Sequence, residues 1–157
     1  MILIALGSNL TGPWGEPEQT VRRALIELNN GPTKIIRPST LIITKPFGFT
    51  NQPDFVNAVA LISTALPPQA LLRRLHMIER IAGRKRGRRW GPRTLDLDLI
   101  DYHGQRIMKK GFAQMALTLP HPGIAFRSFV LVPIAEIAPR WIHPVNHKTA
   151  AAMIQKL

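Results

Sequence analysis

The stretch from Arg88 to Tyr102, which reads RRWGPRTLDLDLIDY, decides how this chain folds and what it can do. Residues 94–100 alternate between polar and apolar side chains, and this period of two predicts a half-buried β-strand. Asp96 and Asp98 then share one face of the strand, and the leucines that alternate with them share the other. Residues two apart in a strand lie roughly 6.5–7 Å apart along it, a spacing that lets two carboxylates hold a pair of Mg²⁺ ions about 3.5–4 Å apart.

A basic segment leads into this strand. Gly91-Pro92 is a turn signal, and the guanidinium of Arg93 after it suits a phosphate. Two carboxylates for metal and several arginines for phosphate are the components of a phosphoryl-transfer site. Outward aspartates can instead mark an ordinary solvated face. Because aspartate is depleted in strands, two in one short strand favour the functional interpretation.

Residues 90–102, WGPRTLDLDLIDY, resemble the signature of the 6-hydroxymethyl-7,8-dihydropterin pyrophosphokinase family of folate biosynthesis. Gly7-Ser8-Asn9, after a first apolar strand, is similar to the start of the same family, although these are also ordinary turn residues. The resemblance covers nearly the whole chain. It implies transfer of a diphosphate from ATP to the hydroxymethyl group of the dihydropterin, leaving AMP.

The order of predicted elements fits an α+β fold, a ferredoxin-like βαββαβ sandwich with a C-terminal extension. Alternation and helical periodicity predict strands at 2–6, 34–44, 54–64 and 94–100, and helices at 16–30 and 67–82. The second helix has an apolar stripe, and His76 and Glu79 lie off its centre. The extension is predicted to contain a turn at His103-Gly104, a short return at 106–108, and helices at 128–138 and 149–157.

Length and composition predict one globular domain spanning residues 1–157, with 45% hydrophobic and 19% charged residues. The chain has no cysteine, which excludes disulfides and thiolate metal sites and fits a reducing compartment. No apolar run reaches the length of a membrane span, and the apolar residues 1–6 are too short for a signal core. We expect a cytoplasmic monomer without a membrane partner.

The resemblance implies which residues bind nucleotide and metal. Asp96 and Asp98 are expected to hold two Mg²⁺ ions, with ATP as the co-substrate. The expected catalytic arginines are Arg84 and Arg86, in the basic loop, and Arg93, in the signature. The expected nucleotide contacts are His76, Glu79, Arg86, Arg93, Ile100, Thr118, His121 and Arg127.

The resemblance also implies a pterin pocket, which needs aromatic faces for the ring and hydrogen bonds for its polar edge. Phe55 and Phe129 are the expected stacking residues, although either phenylalanine alone could be ordinary core. The other expected pocket residues are Thr44, Pro46, Phe47 and Asn57. Trp90 is a further expected substrate-binding residue, which could be either a wall for the nucleotide or a core anchor. Phe55 and Asn57 have the same strand parity, so their side chains point to the same face.

Several positions depart from the family pattern, and they predict altered ATP affinity with the chemistry retained. Ala116 stands where an arginine is usual, His76 replaces a glutamine-like partner of the nucleotide, and Pro122 replaces an aromatic. These departures leave open the alternative that the chain is a degenerate family member, which binds nucleotide without turnover.

The formal net charge of +12 motivates a further alternative. A triphosphate partner explains a local cluster of arginines but not the whole excess, so a basic ferredoxin-like RNA-binding module remains a rival interpretation. Such modules stack bases on aromatic side chains of the central strands. Tyr102 is the only tyrosine, and no strand is rich in aromatic residues. Nucleic acid is therefore the less favoured partner.

Overall fold

A five-stranded antiparallel sheet forms the centre of the computed structural model, which describes residues 1–46, 48, 51–85, 93–111 and 116–157. The main strand order is β2-β4-β1-β5, and β3 pairs with β4 beside β2. Its strands are β1 (Ile2–Ser8), β2 (Thr33–Pro38), β3 (Ile42–Thr44), β4 (Phe55–Thr64) and β5 (Asp96–Tyr102). The central strand β1 is buried along its whole length because it pairs with β4 on one side and β5 on the other.

Two helices cover one face of the sheet. Helix α1 (Pro17–Leu28) begins at a capping box between Glu16 and Gln19, and helix α2 (Pro68–Ile81) begins at a pair of prolines. Their buried stripes pack with the leucines of β5 into one apolar core, which includes Val21, Leu28, Leu71, Leu75, Leu97 and Leu99. This core contains the leucine face that the alternation of residues 94–100 predicts.

The C-terminal region covers part of the other face. A two-stranded sheet of β6 (Ile107–Lys109) and β7 (Leu117–Leu119) precedes a 3₁₀ helix (Ile124–Phe126), and helices α3 (Ser128–Ile137) and α4 (Ala150–Ile154) follow. Leu117 and Leu119 of β7 pack into the first core, so the 3₁₀ helix, α3 and α4 are the elements that cover the other face. Helix α3 packs on β4 and α4. The second core includes Leu3, Val59, Ile100, Leu131, Ile134 and Trp141. The sheet is therefore buried from both sides, except where the second cover stops short near Asp96 and Asp98.

The structure corrects several predicted elements. Strand β1 runs on through Gly7 and Ser8, because both residues pair with β4 and Gly7 also pairs with β5. The predicted strand 34–44 is two strands, because the chain leaves the ladder after Pro38 and Ser39 then bonds β4 through its backbone and hydroxyl. The predicted return at 106–108 does not pair with β5; it pairs as β6 with β7.

The structure confirms a mixed α/β protein with an antiparallel sheet, and the described part of the chain contains four α-helices. The predicted helix 128–138 is confirmed as α3, and the closing helix is shorter than predicted. None of the helices in the described ranges combines the length and apolarity needed to cross a bilayer.

Candidate active site

The site is built on two rows of side chains that cross three neighbouring strands. Asp96 pairs with Gly7, which in turn pairs with Asn57, and one row further along the strands Asp98 pairs with Ala5. Residues directly opposite each other in an antiparallel pair project from the same face. The predicted alternation therefore places both carboxylates on the face that α3 covers, at the end that α3 leaves open.

Cationic side chains surround the carboxylate pair. Asp96 accepts hydrogen bonds from Nη1 of Arg84 at 2.8 Å and from Nη1 of Arg93 at 3.2 Å. The Asp98 carboxylate lies 3.7 Å from Nη1 of Arg127. All these side chains are partly buried, so their charges are screened less than those of surface pairs.

The electrostatics of the pair favour an added cation. Burial, together with the neighbouring negative charge of Asp96, raises the pKa of Asp98 to about 7, against the opposing effect of Arg127. A cation bound between the two carboxylates would favour their charged forms and lower that pKa. Arg84, Arg93 and Arg127 meet part of this need in the structure.

Glu79 connects α2 to the same site. Although it lies off the centre of the helix's apolar stripe, it is buried, at 5% exposure. Its Oε2 accepts hydrogen bonds from the backbone N–H of Leu97 at 2.8 Å and from Arg84. Burial raises the pKa of Glu79 to about 7, and the positive charge of Arg84 partly opposes that rise. Arg84 therefore bridges two carboxylates, those of Glu79 and Asp96.

One cavity lies above the two rows of side chains. It is lined by eight of the residues expected to act in the site: Thr44, Phe55, Asn57, Arg93, Asp96, Asp98, Arg127 and Phe129. Nδ2 of Asn57 donates to the hydroxyl of Thr44, which sets the direction of the amide. A methyl group on Gly7 would lie 2.9 Å from Oδ1 of Asn57, so only glycine leaves this amide undisturbed.

A second cavity, of about 300 Å³, opens on the other side of Asp98. That volume lies at the lower end of the range for small-molecule pockets. The predicted nucleotide residues His76, Thr118 and His121 line it, together with Ala116 and Pro122, two of the departures from the family pattern. Asp98 lines both cavities, so a ligand in each would meet at this carboxylate.

His121 is neutral at pH 7. Burial, with the nearby charge of Arg127, lowers the pKa of His121 to about 4. Its Nδ1 accepts a hydrogen bond from the backbone N–H of Gly123 at 3.1 Å, so the ring proton is assigned to Nε2. Nε2 lies 3.9 Å from Asp98. The imidazole therefore presents a neutral N–H donor beside the carboxylates.

Comparison with known proteins identifies the family. The family model for 7,8-dihydro-6-hydroxymethylpterin-pyrophosphokinase (HPPK) matches residues 3–139. The chain belongs to the HPPK family. Because its curated relatives are named as pyrophosphokinases, the prediction of an enzyme of this family is confirmed.

Two bacterial relatives named 2-amino-4-hydroxy-6-hydroxymethyldihydropteridine pyrophosphokinase match most of the chain. The protein from Haemophilus influenzae is 44% identical over 141 residues, which are 90% of this chain and 83% of that protein. The one from Pseudomonas aeruginosa is 41% identical over 139 residues, 88% and 80% of the two chains. The crystal structure of Plasmodium falciparum HPPK-DHPS with pteroate matches 99% of this chain and 42% of its own, with a TM-score of 0.70. At 13% identity, that likeness shows the fold alone.

Asn9 is a site residue that the sequence prediction did not select. Its Oδ1 accepts from the backbone N–H of Arg93 at 2.9 Å, and its Nδ2 donates to the carbonyl of Pro53 at 2.9 Å. The side chain therefore holds the segments before β4 and β5 at fixed positions around the first cavity. The Gly7-Ser8-Asn9 motif could have pointed to Asn9, but these residue types are common in turns, so the motif alone did not predict the contacts of its side chain.

Other predicted residues are placed differently. Pro46 is described but does not line the first cavity, whereas its neighbour Lys45 does. The Ile100 side chain lies in the second core, and its carbonyl accepts a hydrogen bond from the backbone N–H of His121 at 2.9 Å. Phe47, Arg86 and Trp90 lie outside the described residues.

The donor set fits magnesium without forming a closed protein cage. No cluster of three or more His, Cys, Asp or Glu side chains able to hold a metal occurs among the described residues. Mg²⁺ is commonly bound by one or two carboxylates, with water and substrate phosphates completing its coordination. Asp96 and Asp98, which lie on one face of β5, could supply the carboxylates of such a site.

Proposed function

We propose that this HPPK family member transfers diphosphate from ATP to 6-hydroxymethyl-7,8-dihydropterin, giving AMP and the pterin diphosphate. The observation that carries the proposal is that Asp98 lines both cavities. The pterin would occupy the cavity beside Phe55 and Phe129, and the nucleotide would occupy the cavity beside Thr118 and His121. The hydroxymethyl group and the triphosphate would then lie on either side of the carboxylate pair. The family's relatives carry the name of this reaction.

Asp96 and Asp98 would hold the two Mg²⁺ ions of the reaction. When bound, these ions would neutralise phosphate charge and lower the pKa of the attacking hydroxyl. The two carboxylates lie on one strand face, and burial, together with the negative charge of Asp96, raises the pKa of Asp98. Arg84 and Arg93 contact Asp96 in the structure, and their guanidinium groups would bind phosphate oxygens in the complex with ATP.

Arg127 and His121 would stabilise charge on the phosphates from the other side of Asp98. The Arg127 guanidinium lies 3.7 Å from the Asp98 carboxylate, and the neutral His121 supplies an N–H donor from Nε2. Donors held in place before the reaction stabilise the charge that develops in the transition state. We assign His121 a hydrogen-bonding role, because an imidazole with a pKa of about 4 is neutral at pH 7 and has no imidazolium proton to give up as a general acid.

The pterin would lie in the first cavity, with its ring between Phe55 and Phe129 and its polar edge toward Asn57 and Thr44. The hydrogen bond between Asn57 and Thr44 fixes the amide orientation, so the cavity presents a defined pattern of donors and acceptors. Leaving such buried polar groups unpaired is costly, and this cost would reject rings that lack the matching edge.

We also infer a ferredoxin-like plan for residues 1–102 within one domain of 157 residues. The order β2-β4-β1-β5, with α1 and α2 on one face, supports it. A monomer is expected, and the absence of cysteine together with soluble substrates favours the cytoplasm.

The decisive assay measures AMP release from ATP with Mg²⁺, with and without 6-hydroxymethyl-7,8-dihydropterin. We expect pterin-dependent AMP, and we expect Asp98→Asn to reduce turnover by at least about 100-fold because it removes a charged ligand next to both substrates. Glu18→Gln, which alters an exposed carboxylate on α1, is the matched control and should retain wild-type turnover.

Two other outcomes would replace this proposal. Tight ATP binding without any AMP would identify a family member that binds nucleotide without turnover. A salt-dependent shift of single-stranded RNA in a gel, with no AMP formed, would favour the RNA-binding interpretation instead.

A further inference from the structure

A further cavity, separate from the two at the carboxylate pair, lies on the outer surface of α2 and faces the turn between α1 and β2. Cationic side chains line it. It has a volume of about 500 Å³. Arg73, Arg74, His76, Met77 and Arg80 line it from the helix, and Leu66 lines it from the preceding turn. Arg73, Met77 and Arg80 are exposed and share one helix face, because residues three, four and seven apart lie on the same side.

No carboxylate among the described residues compensates the positive charge of this cavity. All nine acidic residues of the chain are among those that the structure describes, and none of them lines the cavity. Within the described ranges, no carboxylate forms an ion pair with Arg73, Arg74 or Arg80. The side chain of Glu27, whose carbonyl accepts from Arg74, pairs with Arg23 on α1. Glu79, which precedes Arg80 in the sequence, faces the interior.

One of these arginines is held firmly in place. Arg74 donates to the hydroxyl of Thr33 at 3.0 Å and to the carbonyls of Glu27 and Asn30 at 3.0 and 2.7 Å. These bonds satisfy carbonyls at the C-terminal end of α1 and fix a guanidinium at the edge of the cavity. A cation already held in position loses less conformational entropy when an anion binds.

We propose that this cavity binds the phosphate group of a small phosphorylated ligand. Arginine guanidiniums match phosphate oxygens in pairs, and three of them around one concavity supply the charge that a phosphate needs. Leu66 and Met77 add apolar surface on which an organic group of the ligand would rest. His76 lines both this cavity and the one beside Asp98, so the two sites are neighbours, but the proposal does not depend on the pterin reaction.

The test is a titration of ¹⁵N-labelled protein followed by amide NMR, with tripolyphosphate in one arm and AMP in the other. We expect both probes to shift the amides of residues 70, 73 and 77, in addition to any shift at Thr118 in the cavity beside Asp98. The double variant Arg73→Ala/Arg80→Ala should weaken binding at residues 70–77 by roughly tenfold or more. Arg140→Ala, which removes an exposed arginine elsewhere, is the matched control and should leave binding unchanged.

Each outcome of the titration decides the proposal. Stronger binding of AMP would identify a nucleotide-like source of the phosphate, and equal or stronger binding of tripolyphosphate would identify a free polyphosphate. Shifts confined to Thr118 and the carboxylate pair would overturn the site. Equal weakening in Arg140→Ala would overturn it too, because binding would then reflect net charge alone. The double variant should keep the wild-type Tm, which checks that it remains folded without reference to any turnover.

Discussion

Replacing Glu79 with glutamine should change how stability depends on pH. Burial raises the pKa of this carboxyl from 4.5 to about 7 in the folded protein. Because the folded state holds the proton more tightly than the unfolded state, the group stabilises the fold fully below pH 4.5, and this contribution is lost as pH rises through 7. At about 1.4 kcal/mol per pKa unit, the loss amounts to roughly 3 kcal/mol, and little solvent screening reduces it because Glu79 is 5% exposed.

The variant Glu79→Gln cannot ionise, so it should not show this loss. We expect the free energy of unfolding of the variant, minus that of the wild type, to rise by roughly 3 kcal/mol between pH 4.5 and 7.5. Urea unfolding followed by tryptophan fluorescence, in EDTA and at constant ionic strength, measures both proteins at each pH. The variant is compared with the wild type at each pH because Asp98 also titrates in this range in both proteins, and subtracting the two free energies of unfolding removes that shared contribution.

The control is Glu18→Gln, which removes an exposed carboxylate that pairs with Arg22 on the surface of α1. Such a surface pair is worth less than about 1 kcal/mol, so its difference curve should be nearly flat. A flat curve for Glu79→Gln, or one that falls with pH, would refute the argument that the buried charge is costly. It would mean that Arg84 and the Leu97 amide compensate the ionised carboxylate fully.

Three further changes have expected outcomes. Asn9→Ala removes the acceptor for the Arg93 amide and the donor to Pro53, so urea unfolding should show a loss of about 1–3 kcal/mol, with a lower kcat for AMP formation. Gly123→Ala would place a methyl group 2.9 Å from Nε of Arg127, so AMP formation should slow by at least about tenfold with little change in Tm; an unchanged rate would exclude a role for that guanidinium. Leu131→Ala should lower the free energy of unfolding by about 2–5 kcal/mol, because this side chain is fully buried, and a smaller loss would indicate that the second core repacks around it.

The sequence alone predicted most of the features that depend on local pattern. Alternation in residues 94–100 predicted β5 and the shared face of Asp96 and Asp98, and helical periodicity predicted the buried stripe of α2. The signature in residues 90–102 predicted the family, which the comparisons confirm. These features are readable because a period of two or 3.6 and a short motif are both contained within a few consecutive residues.

Pairing between segments that are distant in the sequence could not be predicted from local patterns. The return at 106–108 was expected beside β5, but its partner is β7. Residues 34–44 form two strands, because the regular ladder with β4 ends at Pro38 and the hydroxyl of Ser39 takes the next hydrogen bond from β4. Strand register depends on partners that are far apart in sequence, so a local pattern cannot specify it. The burial of Glu79 is a similar case, since its position on α2 does not reveal that Leu97 and Arg84 will reach its carboxylate.

By itself, then, the sequence determined the family, the main helices and strands, and the residue types that can bind metal and phosphate. Only the tertiary structure decided that Asp98 stands between two cavities, that Asn9 holds the segment before β5, and that the α2 arginines surround a separate concavity. The physical reason is that cavities and pKa shifts arise from burial and from charges on segments brought together by folding. Their magnitudes depend on three-dimensional distances, which the order of residues along the chain does not contain.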